Sequence, residues 1–185
     1  KTEDETLYQD EDGLSLTVRK ENNQYQMTDK NGNQMIFVKS GDLAYLQSQV
    51  DVKKNTISIE RNSNHQITKI VDANQAEINF YYEPNRIRIV SPDVTTELIY
   101  SNGNLVAIED SQGTSHITYN SDYLITEIVD VTGLKLNYAY YSQKPYKIQK
   151  VSQYGLNNEM GEYFTLEYGF ETTTITDHKG RTNTL

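Results

Sequence analysis

Apolar and polar residues alternate along short segments of this chain. The segments 67–71 and 124–129, for example, read Ile-Thr-Lys-Ile-Val and Leu-Ile-Thr-Glu-Ile-Val, and each runs directly into an aspartate. A spacing of two residues gives a β-strand one apolar and one polar face, whereas an amphipathic helix repeats every three to four residues. The pattern therefore predicts a succession of short, half-buried strands.

A second strand is expected after each of these aspartates. Its apolar or aromatic residues lie six and eight positions past the aspartate, so that they share one face. The pairs are Met35 with Phe37, Ile57 with Ile59, Ile78 with Phe80, and Leu136 with Tyr138.

The segment that joins the two strands carries a repeated turn signature, Asp-x-x-Gly. Its copies are Asp10 to Gly13, Asp29 to Gly32, Asp110 to Gly113, Asp130 to Gly133 and Asp177 to Gly180, and weaker copies start at Asp51, Asp72, Ser91 and Ser152. Aspartate accepts hydrogen bonds from backbone N–H groups just after it, and glycine tolerates the positive φ of a tight turn. The signature predicts an internal repeat of roughly 19 to 25 residues.

Clusters of turn-forming residues also lie between the copies. They are Asn62-Ser63-Asn64, Glu83-Pro84-Asn85, Ser101 to Asn104, Asn120-Ser121-Asp122, and Ser142 to Pro145. Strands thus recur about every ten residues with short connections, which is typical of an antiparallel meander. We predict an all-β fold of tandem antiparallel β-hairpin repeats that stack into an elongated, twisted or spiralling β-sheet.

The repeat extends over nearly the whole sequence, so residues 1–185 are interpreted as a single array, a fragment of a longer one. Residues 1–20 hold an acidic leading segment and the first hairpin. Residues 153–162 interrupt the spacing and are predicted to protrude as an insertion loop. The final residues, 180–185, read as a turn and the start of a strand, which suggests further repeats downstream.

Composition narrows the possible partners. The formal net charge is −9 and the 17 basic residues are scattered, which argues against a nucleic-acid partner. No apolar run approaches the roughly 20 residues of a membrane span. The absence of cysteine removes disulfides, thiolate metal sites and thiol nucleophiles.

The repeat resembles the YD-repeat of Rhs-type proteins. The stretch 100–113, Tyr-Ser-Asn-Gly-Asn-Leu-Val-Ala-Ile-Glu-Asp-Ser-Gln-Gly, and the stretch 175–182, Ile-Thr-Asp-His-Lys-Gly-Arg-Thr, carry the resemblance. The Tyr-Asp dipeptide itself is replaced, for example by Tyr100-Ser101 and Tyr119-Asn120. The sequence is most similar to the secreted, wall-associated polymorphic-toxin proteins of Gram-positive bacteria. The resemblance implies a segment of a β-sheet shell, displayed at the cell wall or cell surface, that encloses or displays a C-terminal toxin effector used in intercellular competition.

Residues with chemical potential are explained more simply by the repeat. His65, His116 and His178 have no ligand-like spacing, and the acidic run that starts at Asp10 lacks the oxygen pattern of a calcium loop. The segment 130–134, Asp-Val-Thr-Gly-Leu, is similar to an Rhs autoproteolysis motif but lacks its proline and lies in register with the other turns. We therefore predict no catalytic residue, no metal site and no cofactor.

Two functions remain open besides that of an enzyme, and no catalytic residue can be named for an enzyme. The first is a structural scaffold whose partners are neighbouring repeats of the parent chain. The second is a surface adhesion module that binds cell-wall glycan or another surface protein through exposed tyrosines. Half of the tyrosines at alternating positions, in a set that includes Tyr119, Tyr140 and Tyr168, should instead pack across strands. Tyr81 and Tyr141 are out of phase with the apolar set and are the candidates for an exposed contact.

Overall fold

The computed structural model describes residues 5–9, 13 and 15–185, and these residues form strands and short turns. The strands are β1 (Glu5–Gln9), β2 (Thr17–Glu21), β3 (Gln24–Thr28), β4 (Gln34–Ser40), β5 (Leu43–Val50), β6 (Thr56–Arg61), β7 (Ile67–Val71), β8 (Glu77–Glu83), β9 (Arg86–Val90), β10 (Thr95–Ser101), β11 (Asn104–Asp110), β12 (Gly113–Tyr119), β13 (Ile125–Val129), β14 (Lys135–Tyr140), β15 (Ile148–Tyr154), β16 (Met160–Tyr168), β17 (Thr173–Asp177) and β18 (Thr182–Thr184). The described residues contain no helix.

The chain divides into two compact units. The first comprises residues 1–81 and 89–94, and the second comprises residues 82–88 and 95–185. Within the first, consecutive strands from β1 to β8 pair antiparallel. Within the second, consecutive strands from β10 to β18 do the same. The predicted all-β architecture of antiparallel hairpins is confirmed.

Register in the first unit separates apolar from polar side chains. Ile70 pairs with Ile59 on one side and with Ile78 on the other, which aligns three isoleucines on one face. On the opposite face Lys69 pairs with Glu60 and Asn79. Directly paired residues share a face. The predicted spacing of two residues therefore places the apolar side chains on one face and the polar side chains on the other.

The second unit repeats this separation. Ile128 pairs with Ile117 and Leu136, and Val151 pairs with Tyr138 and Phe164, so these side chains extend across five strands of one face. The other face carries, in order across paired strands, Thr118, Glu127, Asn137, Ser152 and Tyr163.

Most side chains in the sheet are half-buried. Among the described residues, only Ala107 and Ser152 are buried, with exposures of 6% and 5%. Large apolar side chains such as Met35 (38%) and Ile57 (41%) keep substantial exposure. Cross-strand pairs and backbone ladders therefore provide much of the stabilisation, since no enclosed hydrophobic core forms in the described part of the chain.

Two local predictions were wrong. Residues 153–162 do not protrude as an insertion loop: β15 continues to Tyr154, β16 begins at Met160, and a five-residue turn from Gly155 to Glu159 joins them. Ser152, predicted to start a turn, lies within β15 and is buried. Ser152 is part of β15 because the neighbouring strands, β14 and β16, continue to pair with β15 beyond it.

Candidate functional site: repeat turns, tyrosine contacts and an edge cleft

The predicted turns at Asp29, Asp130 and Asp177 share one geometry. In each, the aspartate N–H donates to the carbonyl of the residue four positions later, and the glycine N–H donates back to the aspartate carbonyl. The Oδ1 atom accepts the N–H groups two and four residues on, at 2.8 to 3.0 Å. Each glycine has a positive φ, between 79° and 88°. In these turns the aspartate carboxylate thus accepts backbone N–H groups and the glycine adopts the positive φ.

The same turn also forms where glycine is absent. Lys54, His65, Gln75, Tyr123 and Asn158 occupy the fourth position with φ between 58° and 69°. Their N–H groups donate to the carbonyl of the first turn residue, as in the glycine copies. A non-glycine residue is strained in this region, by about 1–2 kcal/mol, and only the surrounding ladder holds it there.

The predicted copy at Asp110 has a different geometry. Asp110 pairs directly with Gly113 across a two-residue loop, and Gly113 has a φ of 137°. Asp110 still accepts the N–H of Gln112 at 2.7 Å. Asp10 lies outside the described residues, while Gly13 is described and has a φ of 87°.

Hydrogen bonds lower the pKa of four turn aspartates below the ordinary value of 3.8. The main donor is the side-chain amide of Asn33 for Asp29, the side-chain amide of Asn55 for Asp51, the hydroxyl of Thr132 for Asp130, and the backbone N–H of Arg181 for Asp177. These bonds favour the ionised carboxylate because only that form accepts at both oxygens. The turns are therefore anionic at neutral pH.

Tyrosines at the ends of strands bond to the neighbouring strand. The hydroxyls of Tyr119 and Tyr140 donate to the carbonyl oxygens of Leu105 and Ile125, at 2.8 and 2.7 Å. Tyr168 donates to Ile148 in the same way, at 3.0 Å. The sequence suggested cross-strand packing of these rings, but it gave no indication of the hydroxyl contacts. The recurrence of Tyr just before a turn was the available signal.

Each acceptor is the strand partner of an earlier tyrosine. Leu105 pairs with Tyr100, Ile125 with Tyr119 and Ile148 with Tyr140. The register shifts by one residue immediately before each of these three tyrosines, which marks a β-bulge. We call Tyr119, Tyr140 and Tyr168 with their three acceptors the tyrosine ladder.

The two tyrosines predicted to form an exposed contact differ in environment. Tyr81 is 44% exposed. Tyr141 is half-buried, and its hydroxyl donates to the carbonyl of Leu166 at 2.9 Å. The bulge between Ala139 and Tyr140 changes the alternation at this point, so Tyr141 does not point freely into water as its sequence phase predicted.

An open cleft lies beside Tyr141, at the turn between β14 and β15. It has a volume of about 540 Å³. Tyr141 and Tyr168 form its aromatic wall, with ring centroids 6.2 Å apart and planes at 72°. The ammonium group of Lys147 lies 4.5 Å from the Tyr168 ring centroid. Ser142, Gln143, Lys144, Pro145 and Glu167 complete the lining.

A second hollow lies in the first unit, on the face that carries the isoleucines. Its volume is about 390 Å³, and Met27, Met35 and Ile57 contribute apolar surface to it. Asp29 and Asp51 lie at its rim, with their carboxylates engaged in turn hydrogen bonds.

The three histidines lie in strands and turns, and two of them contact aromatic rings. His65 stacks on Tyr45 at 4.3 Å, His116 lies in β12, and His178 packs edge-on to Tyr163 at 6.2 Å. Among the described residues, no three His, Cys, Asp or Glu side chains come close enough together to hold a metal ion. The described residues also form no helix long and apolar enough to cross a membrane.

Comparison with known proteins shows little similarity. No protein-family model matches the sequence, and no curated protein matches it. A crystal structure of a porin-like protein from Bacteroides uniformis is similar over 97% of this chain and 56% of that chain, with 9% sequence identity and a TM-score of 0.25. The chain thus spans little more than half of that protein's length, and a similarity at this level carries no argument about function.

Proposed function

We propose that this chain is a structural scaffold: a segment of a larger YD-repeat protein of the Rhs type, secreted and held at the wall or surface of a Gram-positive cell. Its repeats would continue a β-sheet shell that encloses or displays an effector located elsewhere in the parent. The chain itself would carry out no chemistry.

The observation that supports this proposal is the separation of the two faces in register. Ile128 pairs with Ile117 and Leu136 in the second unit, and Ile70 pairs with Ile59 and Ile78 in the first. Met35 and Ile57 stay substantially exposed on such a face. Exposed apolar surface of this kind is costly in isolation, so a shell whose inner face meets further protein gives it a purpose.

Fractionation of the source cells tests the proposal. An antibody raised against the purified chain should detect, in the wall fraction or the medium, a polypeptide far larger than the 21.3 kDa of this sequence. Protease treatment of intact cells should remove that signal. A signal of about 21.3 kDa confined to the cytosol would contradict both the scaffold and its location.

A further inference from the structure

The scaffold proposal assigns no role to the residues that line the edge cleft beside Tyr141. Its aromatic wall is fixed at the hydroxyl end of each ring, because Tyr141 donates to Leu166 and Tyr168 donates to Ile148. Two rings held in this way lose little further freedom when a ligand packs against them. The wall is therefore preorganised.

Cations lie beside the rings. Lys147 is 4.5 Å from the Tyr168 centroid, and Lys144 is 5.6 Å from the centroid of Tyr146 in the same turn. Both lysines are exposed. Contact with a ring holds an ammonium group near one position while leaving donors free for an incoming anion. Two ammonium groups thus lie in one turn of a chain whose net charge is −9, with the carboxylates of Glu167 in the cleft lining and Asp122 at the Tyr146 hydroxyl.

Neutral polar groups complete the cleft. Ser142 offers a hydroxyl, and Gln143 offers an amide that both donates and accepts. Aromatic surface, ammonium groups and neutral donors together match a flat, hydroxyl-rich ligand that also carries a carboxylate. Two lysines are too few for a nucleic-acid backbone, which requires an extended set of cations.

We propose that this cleft binds a carboxylated saccharide, with a pyranose ring against the tyrosine pair and its carboxylate at Lys144 and Lys147. Glu167 lies in the same lining and opposes an anionic ligand. This assignment does not depend on the scaffold proposal, because a shell segment can present a binding site on its edge. Its failure would leave the proposed scaffold unaffected.

Titration of the 185-residue chain with tetragalacturonate, followed by NMR, tests the assignment. Saturable shifts are expected for the backbone amides of residues 142–144, 146 and 147, and the neutral tetrasaccharide of galactose should bind at least tenfold more weakly. Inorganic polyphosphate should also bind at least tenfold more weakly. If either control binds as tightly as tetragalacturonate, or residues 142–147 do not respond, the assignment is wrong.

Variants sharpen the test. The double variant Lys144→Met, Lys147→Met should weaken binding at least tenfold, whereas Glu167→Gln should strengthen it about threefold because it removes a like charge. Lys179→Met, which changes an exposed lysine in a different turn, should bind like the wild type. Weaker binding by Glu167→Gln would overturn the proposed placement of the carboxylate, even if the double variant failed to fold.

Discussion

The hydroxyl of Tyr140 donates a hydrogen bond of 2.7 Å to the carbonyl oxygen of Ile125, the residue that pairs with Tyr119. Tyr119 in turn donates to Leu105, the partner of Tyr100. Each contact therefore joins a tyrosine to the preceding strand of its own hairpin, at the residue that pairs across a bulge with the previous tyrosine. A one-residue slip of any strand would break such a bond and move its side chains to the opposite face.

Removal of the hydroxyl from the ladder should destabilise the second unit. Tyr140→Phe leaves the ring in place and deprives a half-buried carbonyl of its donor, so we expect a loss of about 1 kcal/mol in the free energy of unfolding. Urea unfolding measures this loss. Tyr123→Phe is the control, since Tyr123 is 70% exposed, and it should change stability by less than about 0.5 kcal/mol. Equal effects of both variants would refute the ladder's role.

The glycine of the Asp130 turn should resist substitution. Gly133 has a φ of 85°, and a Cβ there would lie 2.8 Å from Cδ2 of Leu156. Because Leu156 is exposed and can move, backbone strain is the main cost, and Gly133→Val should lose about 2 kcal/mol or more. Thermal unfolding of the variant gives the value.

Lys54 provides the matched control for that substitution. It occupies the same turn position with a φ of 69°. Lys54→Gly relieves strain but adds freedom to the unfolded chain, so the net change should lie within about 1 kcal/mol of zero. An unchanged melting temperature for Gly133→Val, or a large loss for Lys54→Gly, would show that the turn geometry is wrong.

Acid should weaken the fold through the turn aspartates. Their pKa values are lowered in the folded state, so their contribution is present above about pH 4 and is lost as the pH falls through the folded values, below 3.8. Asparagine forms the same turn at Asn62 and Asn120 without titrating. Replacement of Asp29, Asp51, Asp130 and Asp177 by Asn should therefore reduce the difference in stability between pH 7 and pH 2.5.

Urea unfolding at the two pH values measures that difference. A control variant with Asp42→Asn and Asp93→Asn changes two exposed aspartates outside the five-residue turns. We expect its pH dependence to follow the wild type more closely than the fourfold variant does. The prediction fails if the fourfold variant retains the full loss of stability in acid.

A small side chain should be required at the buried position of Ala107. Ala107 pairs with Ile99 and His116, and it is only 6% exposed. A larger side chain has to displace its neighbours, so Ala107→Leu should cost about 1–3 kcal/mol. Chemical denaturation tests this, with Ala44→Leu at an exposed strand position as the control. If both variants lose the same free energy of unfolding, Ala107 is not crowded by its neighbours.

Much of the fold could be predicted from the sequence because alternation and turn chemistry act locally. The paired isoleucines 59, 70 and 78 and the turns at Asp29, Asp130 and Asp177 follow directly from residue spacing. Turns without glycine were harder to locate, since Tyr123 or Asn158 at positive φ has no sequence signature. The repeat spacing predicted a turn at Ser152, whereas the chain forms it three residues later, from Gly155.

The functional residues were less predictable, for a different reason. The bulge before Tyr140 changes the alternation, so the phase of Tyr141 could not be extrapolated from the preceding strand. The edge cleft joins the turn at residues 142–147 to Glu167 and Tyr168, twenty or more residues away in the chain. Such a juxtaposition depends on strand register, which the sequence pattern fixes only approximately.

Hydrogen exchange of the second unit tests the central claim, that neighbouring hairpins are locked together into a continuous scaffold. Strand amides from β12 to β16 should exchange with similarly high protection, including those of residues 148–154, and Tyr140→Phe should lower protection across β12, β13 and β14 together. If residues 148–154 exchange as a loop, or if the effect of Tyr140→Phe stays confined to its own strand, the hairpins are not locked together.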